Sequence, residues 1–170
     1  MDRRLPTLDE RVRARIRSAL YESVGDLEAW PSALREVARV VGATGVVMTV
    51  PSFDARQGYS FDSIAVNVDF ELATKYAAES QSLDPWTLGA LARGFSGPGL
   101  VLRGAEMCTP EEVERSSWKR PVVDAAEMGD VMTASMAMPA STGRDLSIAV
   151  FHRHRPCEPF EPEAARRLQL

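Results

Sequence analysis

The sequence predicts an α+β domain, a central antiparallel sheet of about five strands layered between helices. Three observations lead there. Apolar residues recur at helical spacing from Val12 to Val41. The period then shortens to two around Val47, Val66, Ala134 and Val150. Finally, the strands come in consecutive pairs rather than alternating one for one with helices, which fits antiparallel pairing better than a βαβ-built parallel sheet. At 170 residues and 18.7 kDa, with 45% hydrophobic and 26% charged residues, the chain is the size of one domain with a short extension.

Each element has its own signal. Thr7 and Glu10 have capping-box spacing, and Val12, Ile16 and Leu20 recur every four residues, predicting a helix over 7–23. Arg11, Arg13, Arg15 and Arg17 fall on both flanks of that stripe, as solvated positions that could line a helix–helix contact. Trp30-Pro31 opens a second helix, Leu34, Val37, Ala38 and Val41 give it a core face, and Gly42 suits a left-handed cap. Gly45–Val50 reads as a strand ended by Pro51, followed by a polar loop over 52–60. Ile64, Val66 and Val68 alternate in a second strand. Asp69 is a cap for a helix over 70–80, and Asp84-Pro85-Trp86 opens another that ends near Gly94.

A glycine-rich loop over 95–99 leads to a short strand at Leu100–Leu102. Thr109-Pro110-Glu111-Glu112 then combines an N-cap, a proline at the first helical position and a glutamate three residues on. That helix carries Val113 and Trp118, is interrupted at Pro121, and is expected to reach Met128, with Gly129 ending it. Val131–Met138 and Leu146–His152 are strands joined by a hairpin-type loop, the first with Met132, Ala134, Met136 and Met138 on one face. The second is apolar on both faces, so both sides of the sheet are expected to be covered. A last helix over 162–170 reaches the end of the chain uncapped, which reads as a helix that continues. PAS and GAF folds, α-β-α sandwiches, have this architecture.

Composition excludes several classes. No stretch approaches the roughly 20 apolar residues of a membrane span, and no basic-then-apolar leader precedes the first helix. Two cysteines, Cys108 and Cys157, do not make a disulfide framework, so a cytoplasmic setting is expected. A net charge of −4 argues against a whole-surface nucleic-acid binder. Phosphate-binding glycine motifs and a nucleophile elbow are absent. His152, His154 and Cys157 form H-x-H-x-x-C; two imidazoles at i and i+2 on a strand could share a metal. Arg153 and Arg155 interleave with them, however, and set positive charge beside the cation. No metal, no cofactor and no enzymatic activity are therefore expected.

One constellation points toward binding. Tyr76, Asp84 and Trp86 put a phenol, a carboxylate and an indole on either side of a helix break, and aromatic walls with a few polar groups are what a small-molecule pocket needs. The same residues are also explained if Asp84 only caps its helix while Tyr76 and Trp86 fill the core. Likewise Met132 and Met136 are either core or an adaptable pocket floor.

These residues carry a resemblance. Trp30-Pro31 ahead of a glycine-ended helix, Tyr76 with Asp84-Pro85-Trp86, Thr109-Pro110-Glu111-Glu112 followed by Trp118, the closing hairpin, and Phe151-His152-Arg153 ahead of Phe160 resemble, in order and spacing, the N-terminal sensor region of LuxR-type helix-turn-helix transcriptional regulators. The similarity runs from about Ala19 to the end of the chain. It implies a GAF/PAS-like, autoinducer-binding-like sensor over 26–158, an N-terminal helix over 1–25 as a candidate dimer contact, and over 159–170 the start of a linker toward a DNA-binding domain. In the quorum-sensing branch the pocket binds acyl-homoserine lactones, and Asp84 would accept a hydrogen bond from the ligand amide. Leu72 stands four before Tyr76 where that motif has Trp, the Tyr-to-Asp spacing is one residue short, and an aliphatic near Leu100–Leu102 replaces a second pocket Trp. These departures argue against a lactone, so an unknown small apolar or amphipathic ligand, or none, is expected, with Leu72, Tyr76, Asp84, Trp86, Leu102, Trp118, Met132 and Met136 as the candidate binding residues. The resemblance further implies a homodimer that meets DNA only through a helix-turn-helix domain outside these residues. The alternative is a GAF-like protein-association module with a filled core and no ligand.

Overall fold

The computed structural model describes residues 9–24, 26–54, 58–69, 71–72, 84–95, 97–137 and 146–169. Helices α1 (Glu10–Ser23) and α2 (Trp30–Val41) precede strands β1 (Gly45–Asp54) and β2 (Gly58–Val66). Then follow α3 (Pro85–Ala92), β3 (Val101–Arg103), α4 (Gly104–Met107), α5 (Pro110–Arg115), a π-helical turn (Lys119–Asp124), β4 (Met128–Ala137), β5 (Leu146–His154) and α6 (Pro162–Leu168). The strands form one five-stranded sheet in the order β2-β1-β5-β4-β3, each pair antiparallel. This is the expected α+β class.

One face of the sheet packs under α1, α2 and α6. Val46, Met48, Val66, Met132, Ala149 and Phe151 meet Ile16, Trp30, Leu34, Val41, Phe160 and Ala164 there in a continuous apolar core. The other face lies under α3, α4 and the π-helical turn, with Trp86, Met107, Trp118, Val122, Val123 and Val131 in a second cluster. Strands buried on both sides account for the two-faced apolar pattern of β5.

Several local expectations hold, and their chemistry is visible. Gly42 takes φ +71°, the left-handed conformation that a side chain resists, and ends α2. Thr109 accepts the N–H of Glu112 at 3.3 Å while the Glu112 carboxylate accepts the N–H of Thr109 at 2.7 Å, which closes the capping box of α5. Asp69 accepts the N–H groups of Glu71 and Leu72, as a cap should; the remainder of the expected helix over 70–80 lies outside the described residues.

Other expectations are corrected. Thr7 lies outside the described residues, and the cap of α1 is Asp9, which accepts the N–H of Arg11 at 2.9 Å. Pro51 does not end β1, which runs on to Asp54 paired with β2. β5 pairs with β1 only as far as Thr49, so Pro51 sits where β1 has a neighbour on one side alone and a missing N–H is tolerated. The interruption expected at Pro121 falls earlier: α5 ends at Arg115, short of Trp118, and Pro121 sits inside the π-helical turn. There Trp118 C=O accepts from Val122 and Val123, next to Pro121, which has no N–H to give. The left-handed residue that closes this stretch is Glu127, at φ 50°, and Gly129 lies inside β4 at a register shift. The helix α4 had no counterpart among the expected elements.

Candidate functional site

The second face of the sheet is not solid. A cavity of about 200 Å³ lies between it and the helices above. Its floor is Val47 and Thr49 from β1, Val131 and Thr133 from β4, and Ile148, Val150 and His152 from β5. These residues stand in rows set by the register: Gly45, His152 and Val131 in one, Val47, Val150 and Thr133 in the next. The roof is Asp84, Trp86, Ala90 and Leu91 of the α3 region, with Met107 and Phe95; Trp118 and Val122 close a side.

The α3 roof is fixed by its start and by its middle. Asp84 is 6% exposed and takes an extended conformation ahead of Pro85 at the first helical position. One carboxylate oxygen accepts the Trp86 N–H at 2.9 Å and the other accepts the Thr87 hydroxyl at 2.6 Å. Asp84 is thus an N-cap that also borders the hollow, and the two readings of this residue are compatible. In mid-helix, Gly89 lies so close to α4 that a Cβ there would run into the Met107 carbonyl. The Arg93 guanidinium bridges the same contact, donating to Met107 O at 2.6 Å and to Gly89 O at 3.0 Å. Below, the Thr133 hydroxyl donates to Met107 Sδ at 3.7 Å, which ties α4 to the sheet.

Electrostatics in the site follow burial. Cys108, at the C-terminal end of α4, has its thiol pushed up to about 11, first by burial and then by Glu112 and Asp84. His152, 5% exposed, is pushed down to about 4, first by burial and then by His154. The two imidazoles stack with centroids 5.2 Å apart. Cys157 is exposed, and among the described residues no group of three His, Cys, Asp or Glu side chains is placed to hold a metal.

The expected site residues divide. Leu72, Asp84, Trp86 and Trp118 border one cavity. Leu102 packs against the same apolar cluster without bordering the hollow. Tyr76 lies outside the described residues. Met132 and Met136, expected as a pocket floor, face the other way into the helix-covered core, where Met132 is 0% exposed. The reason is parity: β4 turns Val131 and Thr133 toward the cavity, so the methionines at even positions must point to the opposite face, into the core. Sequence reasoning passed over Thr133, Val150 and His152 as cavity residues. Their signal was the alternation Ile148, Val150, His152 on β5, which marks one face without saying what covers it.

Helix layers on both sides of an antiparallel five-stranded sheet, with a hollow under one layer, define the class: a GAF/PAS-like α-β-α sandwich. No family model matches the sequence, and no curated protein matches it either. Solved structures do match the fold. The chain is similar to CepR2 of Burkholderia cenocepacia, described as an N-acylhomoserine lactone dependent LuxR family transcription factor, at TM-score 0.60 and 14% identity over 94% of this chain and 86% of that one. It is similar to SdiA in complex with octanoyl-rac-glycerol, at TM-score 0.59 and 13% identity over 96% of this chain and 66% of SdiA. The VqsR LBD domain of Pseudomonas aeruginosa matches at TM-score 0.54 and 11% identity over 89% of this chain and 84% of that one. At these identities the shared property is the fold, which is that of LuxR-family ligand-binding domains. Among the described residues no helix is long and apolar enough to cross a membrane.

Proposed function

We propose that this chain is the small-molecule-sensing domain of a LuxR-type transcriptional regulator, and that it binds rather than transforms its ligand. The observation that carries the reading is the hollow: about 200 Å³, bordered by a buried carboxylate and two indoles, on a sheet whose other face is filled. Apolar voids of roughly 150 Å³ already take up benzene, whereas drug-sized sites run to roughly 300–1,000 Å³. The ligand is therefore small, apolar or amphipathic, with a short chain. The acylated molecules named with CepR2 and SdiA are of this general chemistry. A filled-core association module has the hollow against it.

Regulation follows as a population shift. Ligand between sheet and α3 favours one arrangement of the terminal helices, α1 and α6, through which a homodimer would set the spacing of DNA-binding heads. The shift is only as large as the ligand's preference for that arrangement. The setting is cytoplasmic.

The test is thermal unfolding with monoacylglycerols and N-acyl homoserine lactones from butanoyl to dodecanoyl, with hydrogen exchange followed in α6. Short chains at a hundredfold excess over Kd are expected to add about 2.7 kcal/mol of stability. No stabilisation by any probe overturns the reading. Binding that leaves exchange in α6 unchanged overturns the switching mechanism and spares the pocket.

A further inference from the structure

Among the cavity's described residues on the sheet, only His152 carries an ionisable side chain. It is buried, and no hydrogen bond from a described residue reaches its ring nitrogens; the ring stacks on His154. The ring borders the hollow, with its Cε1–Nε2 edge over the neighbouring strand at Gly45, so its nitrogens can pair with whatever fills the hollow. The neighbouring strand makes room for it. Gly45 is the cross-strand partner of His152, and a Cβ there would collide with the imidazole. On the other side the partner is apolar Val131.

We propose that His152 is a recognition group for the ligand: its imidazole exchanges a hydrogen bond with an uncharged ligand oxygen, an alcohol or a carbonyl, and so selects a small oxygen-bearing amphiphile over a hydrocarbon or a free carboxylate. The inference rests on the reading of the cavity as a ligand site. Burial, reinforced by His154, keeps the ring uncharged at neutral pH, so it offers one N–H donor and one nitrogen acceptor. A hydroxyl matches both roles and a carbonyl matches the donor. Among the described residues that border the hollow a carboxylate finds no cation, and it meets Asp84, the carboxylate that borders the same hollow. Asp84 itself already accepts from Trp86 and Thr87, whereas the imidazole has no such bond among the described residues.

The probes are 1-hexanol, sodium hexanoate and toluene, measured by calorimetry on the wild type and on His152→Leu, with the imidazole ¹⁵N resonances followed in the wild type. The wild type is expected to bind 1-hexanol and toluene, and hexanoate about tenfold more weakly than 1-hexanol. Adding 1-hexanol moves the His152 ring resonances and toluene does not. His152→Leu weakens 1-hexanol about tenfold and toluene less than about twofold. If both probes bind while the ring resonances stay in place with 1-hexanol, the role of His152 is overturned and the pocket stands. If neither binds, the pocket and this role fall together. The resonance measurement needs no variant, so a misfolded His152→Leu does not remove the test.

Discussion

A single proton on His152 has a thermodynamic cost that can be read in solution. In the folded chain its imidazole is pushed down to about 4 from the ordinary 6.5, by burial first and by the adjacent His154 ring second. A base whose folded value is depressed makes the unfolded chain the better proton acceptor between those two values. Stability is therefore unaffected by this group above pH 6.5, falls as pH drops through the window, and has lost the whole contribution by about pH 4. The shift corresponds to about 3 kcal/mol at most. Carboxylates held low by arginine, such as Glu36 and Glu106, also cost stability on acidification, but below about pH 4.5. The difference between wild type and His152→Gln isolates the histidine. Urea unfolding at pH 7.5 and pH 4.5 is expected to show a steeper loss for the wild type; parallel losses in the two proteins would mean that the ring is solvated in the fold.

At the scale of elements, strand β5 works on both sides at once. His152 points into the hollow, while its neighbour Arg153 fastens the segment that leads into α6. The Arg153 guanidinium donates to Gly42 O at 2.9 Å, to Glu158 O at 2.8 Å and to Pro159 O at 3.0 Å, and stacks on the Phe160 ring with its carbon 4.3 Å from the centroid. Asp130 on β4 accepts the Phe160 N–H at 2.6 Å. One planar cation with several donors does what a lysine cannot, since an ammonium lacks the fork geometry and the stacking face. Arg153→Lys is expected to raise hydrogen exchange at Phe160 and through Pro162–Leu168 by about tenfold to a hundredfold, the loss of one or two charged hydrogen bonds, with β4 amides unmoved. Uniform acceleration across the sheet would instead mean that Arg153 supports the whole fold. Such wiring marks the limit of what the sequence reveals. Caps were legible because their chemistry lies within a few residues: Gly42 after α2, Thr109 to Glu112 before α5. The passage of β1 through Pro51 was not, because it depends on where β5 stops pairing. The candidate site was legible where Asp84 caps α3, and not on β4, where the direction of the methionines depends on which helices cover which face.

For the whole molecule, the sheet is a wall between a filled core and a hollow one, and the two sides should answer mutation differently. Met132 lies in the filled core at 0% exposure, with Phe151 opposite it on the next strand. Removing its side chain leaves a void that close packing cannot close, at about 2–5 kcal/mol. In a domain of this size that lowers Tm by roughly 5–15 °C. The hollow is on the other side of the strand, so Met132→Ala is expected to keep its affinity for toluene within about twofold below the melting range. Val150, on the floor of the hollow, has unfilled space above it. Val150→Phe adds bulk where no side chain must yield, so the overpacking penalty of about 1–3 kcal/mol is avoided and Tm stays within a few degrees. The same ring occupies the ligand's space and removes toluene binding. Calorimetry and thermal unfolding on the two variants thus give opposite patterns: stability lost with binding kept, and binding lost with stability kept. If Val150→Phe melts as early as Met132→Ala, both faces of the sheet are packed alike, and there is no chamber for a ligand to enter.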